Sequence, residues 1–262
     1  MQEAATSRPI SPPGLSRLKT SWRQVWRILL SLLVATFGCL IMMMVAVVTV
    51  FSARRVYSEI IGSRLGRLVL RIWGIRLALH GDIPRVNRQV IYISNHTSTL
   101  DLFVLIGLCL PNTRFFLSGF LRKFIPIGIM GYLMGIFYTC PQSQPEKRRK
   151  IFKDASRVLK QTGESVYLSP EGERVTTGEI GHFNKGSFHL AMDLQAPIIP
   201  IYIQIPKEMN FGKEWNATPG VINVSFEQPL FTESWKLAEL EVHRDSVRDI
   251  YVELHRKYKE GM

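Results

Sequence analysis

The chain has 262 residues, 46% of them apolar, so it can bury one sizeable core or two small ones. Lysine and arginine total 33 against 21 acidic residues, and the net charge of +12 indicates a partner that carries phosphate, either nucleic acid or anionic lipid. The three cysteines lie far apart, mostly in apolar runs, which argues against a disulfide framework and against a zinc site. We therefore expect a reducing environment and no metal ion.

The N-terminal part of the chain contains an apolar segment long enough to cross a bilayer. Residues 28–53 include no charged side chain and are rich in Leu, Val, Met and Ile, whereas about 20 apolar residues suffice for a span. The segment is too long for the h-region of a signal peptide, and no Ala-x-Ala cleavage pattern follows it. It therefore predicts a membrane helix and favours anionic lipid over nucleic acid as the partner.

Basic residues flank this segment on both sides, so the positive-inside rule assigns no orientation. A helix predicted at 54–74 carries basic residues on one face (Arg64, Arg67 and Arg71) and apolar residues on another (Ile60, Ile61, Leu65, Leu68 and Ile72). That pattern fits an interfacial helix, and it also fits a helix packed on a core with a solvated basic face. A single span and a helical hairpin that dips into one leaflet both remain open. We divide the chain into a flexible basic arm (1–21), a membrane helix plus interfacial helix (22–74) and a third domain (75–262).

After residue 74, short β-rich runs alternate with longer helical patterns. Strands are predicted at 75–80, 90–94, 113–117, 165–168, 198–203 and 221–226. Helices are predicted at 100–110, 146–162, 186–194 and about 237–257. This alternation predicts an α/β fold with a central mixed or mostly parallel sheet flanked by helices.

A histidine and an aspartate follow the second predicted strand, at the edge where open α/β sheets bind ligands. A turn between them can bring the Asp101 carboxylate to one imidazole nitrogen of His96. The histidine would then be held in one tautomer and could act as a general base towards a hydroxyl. Ser98 and Asp101 also have the spacing of a helix capping box, which requires no chemistry of Asp101.

A second polar segment, at 169–174, follows the strand predicted at 165–168. Arg174 can bind a phosphate through two N–H groups, and backbone N–H groups near Gly172 can add donors. Lys185, at a predicted helix start, can neutralise the same anion. A charged surface turn explains the segment as well.

These segments resemble, in the same order, the signature blocks of the glycerolipid acyltransferase superfamily, the PlsC-type glycerol-3-phosphate and lysophosphatidate acyltransferases. The resemblance covers about residues 75–205. It is carried by Asn95-His96 with Asp101, similar to N-H-x-x-x-x-D; by Pro170-Glu171-Gly172 with Arg174, similar to F-P-E-G-T-R-S; and by Ala196-Pro197-Ile198-Ile199-Pro200, similar to V-P-I-x-P.

The resemblance implies an O-acyltransferase that moves a fatty acyl group from acyl-CoA or acyl-carrier protein to the hydroxyl of a lysophospholipid, without a covalent intermediate. The expected acceptor is 1-acyl-sn-glycerol-3-phosphate, which becomes phosphatidate. His96 is then the base, Asp101 orients it, and Glu171, Gly172 and Arg174 bind the acceptor, with Lys185 nearby. Residues 75–262 are then a catalytic domain, expected on the cytosolic face of the membrane, with no cofactor and no nucleic-acid partner.

Departures from the family pattern leave the acceptor headgroup open. Glu173 replaces the family's Thr, and the segment 135–140 lacks the Arg that ends the family's second block. Arg148 or Arg149 can take its place, or the acceptor can be another lysolipid, such as a lyso-ornithine lipid or a phospholipid under remodelling. A transacylase and a non-catalytic basic, membrane-tethered lipid-binding protein are further alternatives. The Gly-rich apolar segment 115–138 can line an acyl-chain tunnel, press into the bilayer or pack in the core.

Overall fold

The helices and strands follow the alternation predicted from the sequence, with one further helix (125–133) and one further strand (137–139) that the sequence analysis did not predict. The computed structural model describes residues 22–209 and 217–260, so the arm predicted at 1–21 lies outside the described residues. The strands are β1 (Ile75–His80), β2 (Ile91–Ser94), β3 (Thr113–Ser118), β4 (Phe137–Thr139), β5 (Ser165–Leu168), β6 (Ile198–Gln204) and β7 (Gly220–Phe226). The α-helices are α1 (Trp22–Val48), α2 (Ser63–Ile72), α3 (Asp101–Gly107), α4 (Ile125–Leu133), α5 (Pro145–Thr162), α6 (Gly186–Leu194) and α7 (Leu240–Lys259).

The strands form one seven-stranded sheet in the order β1-β7-β6-β2-β5-β3-β4. Strands β6, β2, β5, β3 and β4 run parallel to one another, whereas β7 pairs antiparallel with β6 and parallel with β1. The prediction of a mixed, mostly parallel sheet is therefore confirmed. Because parallel strands end at the same edge, the segments that follow β2, β4 and β5 meet there.

Helices cover both faces of the sheet. Side chains alternate along the central strand, so that Tyr92 packs in a cluster with Trp73 and Val104 from the side of α2 and α3. Ile91 packs in a second cluster with Phe188 and other residues of α5, α6 and α7. Strands β2 and β5 are buried along their whole length, as expected for parallel strands between two helical layers.

Helix α1 is uncovered along much of its apolar surface. Only Gly38, Cys39, Met42 and Ala46 are buried in it. By length and composition it is apolar enough to cross a membrane. It ends at Val48, earlier than the apolar run, because the next turn reverses the chain through positive φ angles of 48° at Val50 and 60° at Phe51.

The chain then returns through a π-helical turn (Val56–Gly62) into α2, which packs beside α1 as a helical hairpin. The Trp73 indole donates a hydrogen bond to the Ser31 hydroxyl at 3.1 Å. The three arginines of the predicted basic face are exposed, and so are Ile60 and Leu68 of the predicted apolar face, which an interfacial helix would direct to lipid. The buried residues of α2 are Ser63, Gly66, Val69 and Leu70, and Gly66 brings α2 against the backbone of α3.

A buried ion pair links this hairpin to the sheet. Glu164 accepts a hydrogen bond from Nε of Arg114 at 2.6 Å and from Nη1 of Arg54 at 3.1 Å. Arg114 is 6% exposed. Burial opposes ionisation of Glu164, but the hydrogen bond and charge of Arg114 outweigh it, so the pKa of Glu164 lies below its ordinary value.

We expect Glu164→Gln to lower the free energy of unfolding by about 3 kcal/mol, because it leaves the Arg114 guanidinium buried without a counter-charge. Urea denaturation of the detergent-solubilised protein measures the change. Glu253→Gln is the matched control, since it removes a carboxylate from an exposed pair with Arg256 and should leave the midpoint unchanged. Equal shifts in the two variants would contradict this account of the buried pair.

Candidate active site

The loop between β2 and α3 holds His96 and Asp101 together, as the sequence predicts. The Asp101 carboxylate is 1% exposed, and its Oδ2 lies 2.9 Å from Nδ1 of His96. A carboxylate at this distance accepts a hydrogen bond, so Nδ1 carries the proton and Nε2 has a lone pair. In residues 22–209 and 217–260 no hydrogen bond to Nε2 is found, and a third of the His96 side chain is exposed. A ligand hydroxyl can therefore reach Nε2.

The same carboxylate also binds the backbone of the turn that precedes α3. Its Oδ2 accepts the backbone N–H groups of Thr97 and Ser98, each at 2.8 Å. The bond from Ser98 has the spacing of the capping box considered from the sequence, but the N-cap of α3 is Leu100, and the Asp101 N–H donates to the backbone carbonyl of Ser98 rather than to its hydroxyl. Asp101 thus both shapes the loop and orients His96, and the two interpretations are compatible.

Asn95 ties the loop to the neighbouring strand. Its side-chain amide donates to the Ile203 carbonyl and accepts from the Ile203 N–H, both at 2.9 Å, and the residue is 3% exposed. The amide therefore continues the β2–β6 hydrogen-bond pattern one residue beyond the strand. The sequence analysis quoted Asn95 as part of a motif without a role, and only its position directly after a strand hinted at one.

Glu171 holds the backbone of His96. Its Oε2 accepts the His96 N–H at 2.6 Å, its Oε1 accepts the Gly181 N–H at 2.8 Å, and the residue is 3% exposed. The backbone carbonyl of His96 is also held, because it accepts the Val175 N–H at 2.8 Å. Burial raises the pKa of Glu171 in spite of its backbone donors. We expected Glu171 to bind the acceptor, but backbone groups occupy both carboxylate oxygens.

The turn after Glu171 requires a glycine. Gly172 has φ of +72°, and a Cβ there would lie 2.8 Å from Nδ2 of Asn184. The Gly172 N–H already donates to the Ser169 carbonyl, so it is not the free phosphate donor that the sequence suggested. Asn184 Nδ2 donates to the Glu171 carbonyl at 2.7 Å, which fixes the exposed turn on the loop before α6.

Four cationic residues considered from the sequence take different positions. Arg174 donates to the Thr99 hydroxyl at 3.0 Å, so it lies over the His96 loop. A Cβ built on Gly172 would lie 3.7 Å from Nη2 of Arg148, so the Arg148 guanidinium lies beside the Gly172 turn. Arg149 is highly exposed and pairs with Glu146. Lys185, at the start of α6, pairs with Glu241 on α7. Arg148 is therefore the better placed of the two candidate replacements for the missing family arginine.

An apolar cavity of about 720 Å³ lies among the loop after α1, α4 and β4. Its lining is mostly apolar, with Phe51, Ile125, Ile129 and Ile136 among it, but it also includes Arg54, Arg114 and Arg122. Glu164 pairs with the first two of these arginines. Most of the Gly-rich segment 115–138 thus borders a cavity or the surface, since Phe120, Phe124 and Tyr132 are exposed. Within the described residues no group of three His, Cys, Asp or Glu side chains is placed to hold a metal ion.

Known proteins that are similar to this chain are acyltransferases. The family model described as Acyltransferase matches residues 76–204. Among curated relatives, the 1-acyl-sn-glycerol-3-phosphate acyltransferase of Limnanthes douglasii is 28% identical over 197 residues, which cover 73% of this chain and 67% of the relative. The alpha enzyme of that name from Bos taurus is 28% identical over 195 residues, covering 71% and 65%. The chain thus spans about two thirds of the length of these relatives.

The fold has a solved counterpart. The crystal structure of the 1-acyl-sn-glycerophosphate (LPA) acyltransferase PlsC from Thermotoga maritima has a TM-score of 0.68 and 19% identity, and the match covers 90% of this chain and 98% of that chain. This likeness shows the fold. The family model and the curated relatives show the class of protein, which is an acyltransferase. The chain belongs to the PlsC-type glycerolipid acyltransferase superfamily.

We expect Glu171→Gln to lower the rate of acyl transfer about tenfold to a hundredfold, because an amide cannot accept both backbone N–H groups and one would be left unpaired. Steady-state kinetics and circular dichroism together separate a displaced His96 from an unfolded protein. Glu253→Gln is the control, since that carboxylate lies in an exposed pair on α7 and the change should stay within about twofold. Equal losses in the two variants would argue against the contact with His96.

Proposed function

We propose that the protein transfers a fatty acyl group from an acyl thioester to the free hydroxyl of 1-acyl-sn-glycerol-3-phosphate, which yields phosphatidate. The single observation that carries the proposal is the accessible Nε2 of His96, with Nδ1 held by Asp101. The names of the curated relatives support the acceptor. The donor is acyl-CoA or acyl-carrier protein as a co-substrate, and the chemistry needs no cofactor.

Each step has a residue to perform it. Nε2 of His96 takes the proton of the acceptor hydroxyl while the oxygen attacks the thioester carbonyl. The negative Asp101 carboxylate stabilises the imidazolium that forms. When the C–S bond breaks, the thiolate leaves and takes the proton from Nε2. Because the acceptor oxygen attacks directly, no acyl-enzyme intermediate forms.

The acceptor phosphate has two cations within reach of the same turn. Arg174 approaches from the side of Thr99 and Arg148 from the side of Gly172. Guanidinium groups bind phosphate with two parallel hydrogen bonds, which fixes the acceptor's orientation. The exposed Glu173 lies next to Arg174 and repels an anion, so an acceptor without a terminal phosphate, such as a lyso-ornithine lipid, is the alternative.

The apolar cavity beside α4 is the proposed site of a fatty acyl chain. Its volume lies within the range of about 300–1,000 Å³ that is common for ligand pockets. Phe51, in the turn after α1, lines the cavity, so the cavity borders the end of the apolar helix. A chain can therefore pass between the bilayer and the cavity without crossing water.

The hairpin of α1 and α2 is the proposed membrane anchor. The uncovered face of α1 includes Leu33, Phe37 and Met44, and such an apolar surface is stable in contact with lipid rather than water. Exposed Trp22 and Trp26 at the start of α1 suit the interface with the headgroups. The exposed arginines of α2 then face anionic headgroups, with the catalytic domain on the cytosolic side.

We expect His96→Ala to reduce turnover at least about a hundredfold, because the general base is lost, while the fold and membrane association persist. Purified protein is incubated with labelled acyl-CoA and a panel of lysolipids, and products are identified by mass spectrometry. His80→Ala, which removes an exposed imidazole on β1, should retain full activity.

Three outcomes of this assay would reject or change the proposal. Lipid binding without turnover, unaltered by His96→Ala, would indicate a non-catalytic lipid-binding protein. Acyl transfer from a phospholipid alone would indicate a transacylase. Acylation of a zwitterionic lysolipid but not of lysophosphatidate would retain the chemistry and change the acceptor.

We expect Ile129→Trp to shorten the acyl cavity, so that kcat/KM falls for palmitoyl donors more than for octanoyl donors. The ratio of the two kcat/KM values is the measurement. Ile129→Leu is the control, because it keeps the volume and should leave the ratio unchanged. An equal fall for both donors would place the chain elsewhere.

A further inference from the structure

A second cavity lies between α5 and α6, outside the His96 loop. Its volume is about 660 Å³, and cationic side chains line it at Arg148, Arg149, Lys153 and Lys185. Phe152 and Leu190 add an apolar wall. The proposed acyl transfer from His96 uses the beginning of this cavity, near Arg148, and leaves the rest without a role.

The cavity has a strong excess of positive charge. Asp193 is the one acidic residue in its lining, and Lys160, with a hydrogen bond at 2.6 Å, and Ser156 already occupy that carboxylate. The partners of Arg149 and Lys185, Glu146 and Glu241, are exposed and lie outside the lining. The uncapped N-terminus of α6 adds the positive end of its helix dipole. A ligand with several negative charges would satisfy this excess.

The cavity begins at the active-site turn. Gln142, Arg148 and Asn184 line it, and all three lie within 4 Å of the Cβ position of Gly172, next to the residue that holds His96. From Arg148 it follows α5 as far as Ser156, about 12 Å along the helix axis. An extended ligand can therefore reach from the reacting atoms to the far end.

The segment that begins with β4 borders both cavities. Phe137 and Tyr138 of β4 line the apolar cavity, whereas Gln142, just beyond β4, lines the basic one. A molecule with an apolar tail and a polyanionic head can place one part in each cavity. The thioester between the two parts must then reach Nε2 of His96 for the proposed transfer.

Building on the proposed acyl transfer, we propose that the α5–α6 cavity binds the phosphorylated nucleotide of acyl-CoA. Adenosine 3′,5′-diphosphate carries several negative charges on a flat aromatic base, which matches several cations beside the half-buried ring of Phe152. The concave shape suits a small molecule. An acyl-carrier protein would present a large acidic surface and would instead bind across the exposed basic surface of α5, where Lys147 and Lys150 lie outside the cavity.

The test compares two double variants of α5 in the full-length protein. Arg149→Ala with Lys153→Ala removes two charges from the cavity, and Lys147→Ala with Lys150→Ala removes two exposed charges of the same helix outside its lining. We expect the first pair to raise KM for palmitoyl-CoA about tenfold and the second pair to change it less than about twofold. Neither pair should alter KM for palmitoyl-pantetheine, which lacks the nucleotide, or for the lysolipid.

A binding measurement makes the inference independent of turnover. Titration calorimetry with adenosine 3′,5′-diphosphate should show binding to the wild type and to the Lys147/Lys150 control, and loss of binding in the Arg149/Lys153 variant. Binding with this pattern in a protein that transfers no acyl group would uphold the site and reject the proposed function.

Three results would overturn the nucleotide site. One is acyl transfer from palmitoyl-CoA with the same KM in both double variants, which would leave the proposed function standing. A second is an equal rise of KM in both variants, since that would reflect only general attraction to a basic surface. A third is a KM effect confined to acyl-carrier protein as donor, which would identify the carrier protein as the ligand.

Discussion

Two buried carboxylates determine where the reactive imidazole lies. Asp101 binds the ring of His96 and the backbone of the same loop, and Glu171 binds the His96 N–H from a loop that follows another strand. A carboxylate removed from water needs hydrogen-bond donors, and both oxygens of Glu171 and Oδ2 of Asp101 find them in these loops, whereas Oδ1 of Asp101 is buried with no partner among the described residues. Each carboxylate is therefore accommodated only if the loop around it has the correct shape. The two signature blocks are therefore parts of one structure, and the second positions the residue of the first.

The sheet order makes this arrangement possible. Strands β2 and β5 are adjacent and parallel, so the loops after them emerge side by side, and β6 on the other side of β2 receives the Asn95 amide. Strand β4 at the edge contributes Phe137 and Tyr138 to the apolar cavity, and the segment after it contributes Gln142 to the basic one. The segment from β4 to Gln142 therefore borders both cavities.

The hairpin of α1 and α2 is part of the same architecture. Helix α1 packs against both α2 and α4, and Arg54 after α1 joins the buried ion pair of Arg114 and Glu164. The apolar cavity is formed in part by the turn after α1. The proposed acyl site and the proposed anchor therefore share residues, so that the position of the hairpin affects both.

Local pattern in the sequence determined most helices and strands, the α/β class, and the pairing of His96 with Asp101, because each depends on residues close along the chain. Only the tertiary structure decided that Glu171 binds the backbone of His96, that Arg148 rather than Arg149 reaches the Gly172 turn, and that Ile60 and Leu68 stay exposed. The first two are contacts between segments far apart in the chain, and the exposure of Ile60 and Leu68 depends on which other helices pack against α2. Periodicity describes the faces of one helix, whereas sheet order and close approach at residues such as Gly66 decide which face is covered.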